Sequence, residues 1–215
     1  MHLQTHLLSG WCLANLIPMT PRQRCWAVVA ATAADLDGVG TLFGQEAYWD
    51  YHHKLGHNAA FGLLVCVLLT KVARGGTRVF SVYFALFHLH LLMDFFGSGP
   101  GWPIAYLWPF SNHVLDNRRW SWAFYSWQNI STAALLVAWT VAIAVRAGRT
   151  PLETPMPALD RQLVGHFRRW FRFHVRPRQD SQAIPTNPHA AGISAGYKIM
   201  HDSCRATPGG IIARP

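Results

Sequence analysis

Residues 82–96, VYFALFHLHLLMDFF, decide how this chain is read. The stretch is apolar except for His88, His90 and Asp94. His90 and Asp94 are four residues apart, so on a helix they share one face, one turn apart. His88 and His90 lie about 200° apart around the same helix and cannot both face one site. A carboxylate and an imidazole in an apolar helix are costly unless they pair or hold a metal. Ionisable groups inside a membrane segment mark function. We read the stretch as a membrane helix carrying half a site on one face, with His88 supporting or packing.

Composition agrees. Of 215 residues, 51% are hydrophobic and 13% charged, the latter about half the share usual in a soluble domain. Residues 1–145 carry 8 Lys+Arg against 6 Asp+Glu; residues 146–215 carry 11 against 4. The first part is apolar, the second a basic tail. Residues 122–145 run 24 residues without a charge, enough to span a bilayer. Residues 79–96 span marginally, and 57–73 are somewhat short. Two further apolar stretches, 6–18 and 25–36, are short for a span and read as a hairpin that dips into the bilayer or packs on the longer helices. The expected fold is therefore all-α, a multi-pass helical membrane protein with a His/Asp metal site at one end of the bundle. Residues 1–147 form the membrane-embedded domain. Residues 148–215 form a basic cytoplasmic tail, with an interfacial helix at 158–173 (apolar 159, 163, 167, 170 and 171, interleaved with four Arg) suited to anionic lipid. A partly ordered basic tail would give the same pattern. From Gln179 onward the composition favours disorder. Cys12, Cys25, Cys66 and Cys204 form no CxxC pair, which argues against a disulfide framework or a cysteine zinc site. Met1 to His6 lacks the basic start of a cleavable signal peptide.

If each apolar segment crosses, or dips in and returns, the segment ends fall on two sides. One side receives His6 and the loops 35–57 and 97–121, with only Lys54, Arg118 and Arg119. The other receives Arg22, Arg24, Lys71, Arg74, Arg78, Arg146 and Arg149. The positive-inside rule makes the second side cytoplasmic. The candidate ligands then face the periplasm.

Those candidates are His6, Asp35, Asp37, His52, His53, His57, His90 and Asp94. Each has a plain structural reading. His6 near an N-terminus is often packed or exposed. Asp35 and Asp37, before Gly38, resemble turn residues. The run HHKLGH (52–57) reads as a solvated loop. Yet imidazole and carboxylate are the donors that zinc and other divalent metals take, and four separate segments bring them to one side. His53 fits a ligand, a supporting group or a phosphate contact.

In this order the motifs are recognisable. THLLSG (5–10), DLD (35–37), HHKLGH (52–57), HLLMD (90–94) and LWPFS (107–111) resemble the YdjM-like family of membrane-bound metal-dependent hydrolases, also labelled LexA-binding, inner-membrane-associated hydrolases. The resemblance covers residues 5–111. It implies a divalent-metal hydrolase of the bacterial inner membrane, similar at a distance to zinc-dependent phospholipase C and P1-type nucleases. It carries over His6, Asp35, Asp37, His52, His57, His90 and Asp94 as ligands. The family commonly has an HR-x-x-TH run; here His53 and Gly56 stand in place of the Arg and Thr. Losing that Arg removes a bidentate phosphate clamp.

Seven His/Asp ligands exceed the needs of one tetrahedral zinc and suit two or more ions sharing a bridging carboxylate, Asp35 or Asp94. A metal-activated water would be the nucleophile. Asp35, Asp94 and His53 are the candidate catalytic groups for handling the proton. Trp102, Trp108 and Phe110 fit an apolar mouth or a membrane-interface belt. The expected partners are membrane lipids and a small-molecule or lipid substrate, with nucleic acid not expected and a protein on the basic tail left open. The alternatives are a metal-binding or metal-transport protein without hydrolysis, and a regulatory protein whose tail docks a partner.

Overall fold

Capping signals in the sequence set where the helices begin. Thr20 and Gln23 form a reciprocal capping box, with Pro21 in the first turn, and start α2 (Pro21–Thr32). Asn58 accepts the Phe61 amide at 2.8 Å and starts α4 (Ala59–Val72). Ser126 caps α6 (Trp127–Ala147), which ends on Gly148 in the left-handed region (φ 68°). The other helices are α1 (Leu3–Ala14), the short α3 (Gln45–Tyr51), α5 (Thr77–Gly97) and α7 (Pro157–Phe171). A 3-10 helix, Ala33–Phe43, continues directly from α2. This is a computed structural model, and it describes residues 1–171. The expected disorder beyond Gln179, the last residues of the 158–173 helix and Cys204 lie outside the described residues. Among the described residues there is no strand, only an isolated bridge between Ile104 and Leu115. The all-α expectation holds.

α2 lies at the centre, packed against α1 and α5, with α4 on α5 and α6 on α1. Small residues bring α1 and α2 close: a Cβ added to Gly10 would lie 2.6 Å from Ala31 Cβ. Ala27, Ala30, Ala31, Tyr83, Phe87 and Leu91 fill the space between α2 and α5. Tyr83 Oη donates to the Gln23 carbonyl at 2.8 Å. By contrast Leu63, Leu64 and Leu68 on α4, and Leu135 and Val137 on α6, are exposed, as lipid-facing surfaces are.

Among the described residues, three helical stretches are long and apolar enough to cross a membrane: Pro21–Phe43, Thr77–Gly97 and Trp127–Ala147. Two of the expected spans are shifted. Residues 57–73 hold only the 14-residue helix α4, below the roughly 20 residues a bilayer needs. Residues 25–36, expected to be too short, run on through the 3-10 helix to give 23 residues. The carboxylates and glycines of ADLDGVG look like a helix end. The chain nevertheless continues helically, because the Asp37 charge is met by side chains and an amide from 52–57 instead of by water.

The opposite end of the bundle is clamped by charge. Arg24 meets Glu153 through two hydrogen bonds, 2.6 and 2.9 Å, with both side chains nearly buried. Arg149 Nε donates to Asn15 at 2.8 Å. Asp160 accepts from both the amide and hydroxyl of Thr150 at 2.6 and 2.7 Å, and Arg168 Nε donates to the Val145 carbonyl at 3.0 Å. Residues 148–171 are thereby packed against the helical bundle, with Arg161 and Arg169 exposed.

Candidate metal centre

The alternating helix directions bring the start of α1, the 3-10 helix, the 52–57 turn and the end of α5 to one end of the bundle. His6, Asp35, Asp37, His52, His53, His57, His90 and Asp94 all meet there.

His90 is the best-defined donor. It is 1% exposed, and its Nδ1 donates to the Ala31 carbonyl at 2.7 Å. A carbonyl only accepts, so the proton sits on Nδ1 and the Nε2 lone pair points away from it. That Nε2 lies 2.9 Å from Asp94 Oδ2, 3.6 Å from Asp35 Oδ1 and 3.3 Å from His57 Nε2. His57 Nε2 is also 3.2 Å from Asp94 Oδ2. The donor atoms of Asp35, His57, His90 and Asp94 all lie within 4.8 Å of one another. Two imidazole nitrogens facing each other between two carboxylates form a donor set that calls for a cation. The chemistry fits a divalent metal.

His6, fully buried on α1, stacks on His90 with ring centroids 3.8 Å apart and reaches Asp94 Oδ1 at 3.2 Å. Its Nδ1 has no hydrogen-bond partner among the described residues. Ser98, one turn beyond Asp94, donates to Oδ1 at 2.9 Å, and the amino group of Met1 pairs with the same carboxylate.

Asp37 stands apart from this group. Its Oδ1 accepts from His52 Nδ1 at 2.7 Å, and its Oδ2 accepts from His57 Nδ1 and the Gly56 amide, both at 2.9 Å. Asp37, His52 and His57 form a second set with donor atoms within 4.8 Å. His57 thus belongs to both sets through opposite ring nitrogens.

His53 is buried, with its backbone in the left-handed region (φ 65°) and its carbonyl accepting the Ala105 amide at 3.1 Å. Burial and the neighbouring His57 push its imidazole below the usual range, so it is held neutral. It therefore does not replace the charge of the family's Arg. His88 points elsewhere, to the Phe84 carbonyl at 2.8 Å and Tyr106 Oη at 3.0 Å.

A cavity of about 490 Å³ opens onto the donors, lined by Asp35, His52, His53, Asp94, Tyr48 and Trp102 among others. Trp102 stacks on Trp49 at 4.3 Å and Tyr48 on His52 at 4.7 Å. Neither Trp108 nor Phe110 lines this cavity, and Phe110 is exposed. Sequence reasoning missed Ser98, Tyr48 and the Gly56 amide. Ser98 carries a signal, since it falls four residues after Asp94; the other two depend on how the 35–57 segment folds back.

The bundle and this site define an all-helical membrane protein with a His/Asp group able to hold a metal ion. The YdjM inner membrane protein family matches residues 1–159, and the chain belongs to that family. Neither a curated protein nor a solved structure matches it.

Proposed function

We propose that the protein is a metal-dependent hydrolase of the inner membrane, acting on a phosphoester or lipid-linked substrate. The observation that carries this reading is the cavity lined by Asp35 and Asp94, the two carboxylates of the donor set whose histidines, His57 and His90, lie buried behind them. A bound divalent ion, zinc being the best match for mixed His/Asp donors, would polarise the scissile bond and activate a water. Asp35 is the donor with most access to the cavity, its side chain 24% exposed, and is placed to take up a proton. Asp94, 1% exposed, fixes the histidines around it. His53 offers a neutral hydrogen bond to a substrate oxygen.

The 3-10 helix supports a lipid-linked substrate. At three residues per turn, positions i and i+3 eclipse. Asp35 and Gly38 line the donor cavity. Leu36 and Val39 line a separate apolar cavity of about 440 Å³, with Phe43, Leu55 and Phe61. One helix thus separates a polar chamber from an apolar one, as an amphiphilic substrate requires. The seven-to-three charge asymmetry between the bundle ends supports a site at the periplasmic face.

The test is metal content of detergent-purified protein by mass spectrometry, for wild type and for His90→Ala/Asp94→Ala, followed by hydrolysis assays on phosphoesters and phospholipid vesicles. Stoichiometric metal that is lost in the folded double variant, together with hydrolysis by wild type, is the expected result. Absence of metal after reconstitution overturns the reading. Metal without hydrolysis across both substrate sets favours metal binding or transport.

A further inference from the structure

The donor set contains more candidates than one ion takes, and Asp37 decides how they divide. His57 cannot give both its nitrogens to one ion. Its Nε2 faces His90 and Asp94, while its Nδ1 is held by Asp37 Oδ2. Asp37 Oδ2 is further engaged by the Gly56 amide, and its Oδ1 by His52 Nδ1. An ionised carboxylate accepts from all three, so each histidine donates from Nδ1. The proton on Nδ1 leaves Nε2 as the coordinating atom of His57. This is the carboxylate–histidine–metal relay by which a supporting carboxylate sets ring orientation and tautomer. His52, held in the same way and stacked on Tyr48, lines the cavity.

We propose that Asp37 is a positioning residue and not a ligand, so that the chain holds one ion, on Asp35, His57, His90 and Asp94, while His52 is fixed by Asp37 as a substrate-facing group. The inference rests on the metal-centre reading and not on hydrolysis. It replaces the expectation of two ions bridged by a carboxylate with a single ion and an anchored pair of histidines.

The test uses the full chain in detergent, titrated with cobalt(II) alone. Ion count, affinity and the visible absorption spectrum are read for wild type, Asp37→Asn and His52→Ala. The expected result is one ion per chain in all three. His52→Ala should match wild type in affinity and spectrum. Asp37→Asn should keep the band shape of the wild-type coordination sphere while binding about 10–100-fold more weakly, as loss of a supporting carboxylate does. Thermal unfolding without metal checks that each variant is folded. Should Asp37→Asn not fold, the counts for wild type and His52→Ala still decide, because a second ion would need His52. Two ions in wild type, one of them lost in either variant, would overturn the proposal yet leave the metal centre standing. So would a folded Asp37→Asn that binds no cobalt, or one whose spectrum loses a carboxylate ligand. No cobalt in any form would sink the metal reading itself.

Discussion

Gly56 donates its amide to Asp37 Oδ2 at 2.9 Å, and a Cβ at Gly56 would collide with the Ala34 carbonyl oxygen. The two facts are linked: the 52–57 turn must lie flat against the 3-10 helix for its amide to reach the carboxylate. Gly56→Ala is therefore expected to cost about 1–3 kcal/mol of stability, as overpacking in a tight core does. It should also weaken cobalt binding by displacing His57. Gly56→Thr, which restores the residue common in the family run, should be no better. Thermal unfolding and cobalt titration of both variants check this. Wild-type affinity in either would show that the turn need not sit where the structure places it.

His88 and His90 are two residues apart on α5 and have different tasks. His90 faces the donors; His88 ties the helix to the 98–126 loop through Tyr106. His88→Ala should leave metal content unchanged and destabilise by about 1–3 kcal/mol, the range for leaving a partly buried partner unpaired. Loss of metal in His88→Ala, with the fold intact, would move the site to the other face of α5.

How far the sequence revealed this arrangement depends on whether partners are local. His90 and Asp94 were legible because both lie on one helix with fixed spacing. The passes at 79–96 and 122–145 were legible because membrane helices carry their signal in composition. The length of the second pass was not. ADLDGVG resembles a helix end, and only the returning 52–57 turn explains why Asp35 and Asp37 can sit on a continuing 3-10 helix. The role of Asp37 was hidden for the same reason: its partners are 15 to 20 residues away, across a turn whose geometry depends on Gly56. His53 stands in a family Arg position, but its neutral state follows from burial, which the sequence does not display.

The Arg24–Glu153 pair joins α2 to the segment after α6, at the end of the bundle away from the metal centre. With side chains 5% and 11% exposed, removing one partner strands a buried charge, and Arg24→Ala or Glu153→Ala is expected to cost about 3–5 kcal/mol. Arg24→Met/Glu153→Leu should cost less than the sum of the single replacements, because the two sites are coupled. Metal content should be unchanged in all three. Equal, additive losses in unfolding measurements would show that the pair contributes no coupling.

Helix direction and charge together predict which way the site faces. α1 and α6 begin at the metal end, α2 and α5 begin at the Arg24 end, and α4 begins beside His57. The 73–76 turn is therefore at the opposite end from the 98–126 loop. Lys71, Arg74 and Arg78 cluster at that turn, and cytoplasmic loops retain Lys and Arg. A fluorescent-protein fusion after Gly76 should therefore be fluorescent, and an alkaline phosphatase fusion there inactive. A phosphatase fusion after Asn112 should be active. The reverse pattern of activity would place the metal centre on the cytoplasmic side and direct the search for substrates to that leaflet.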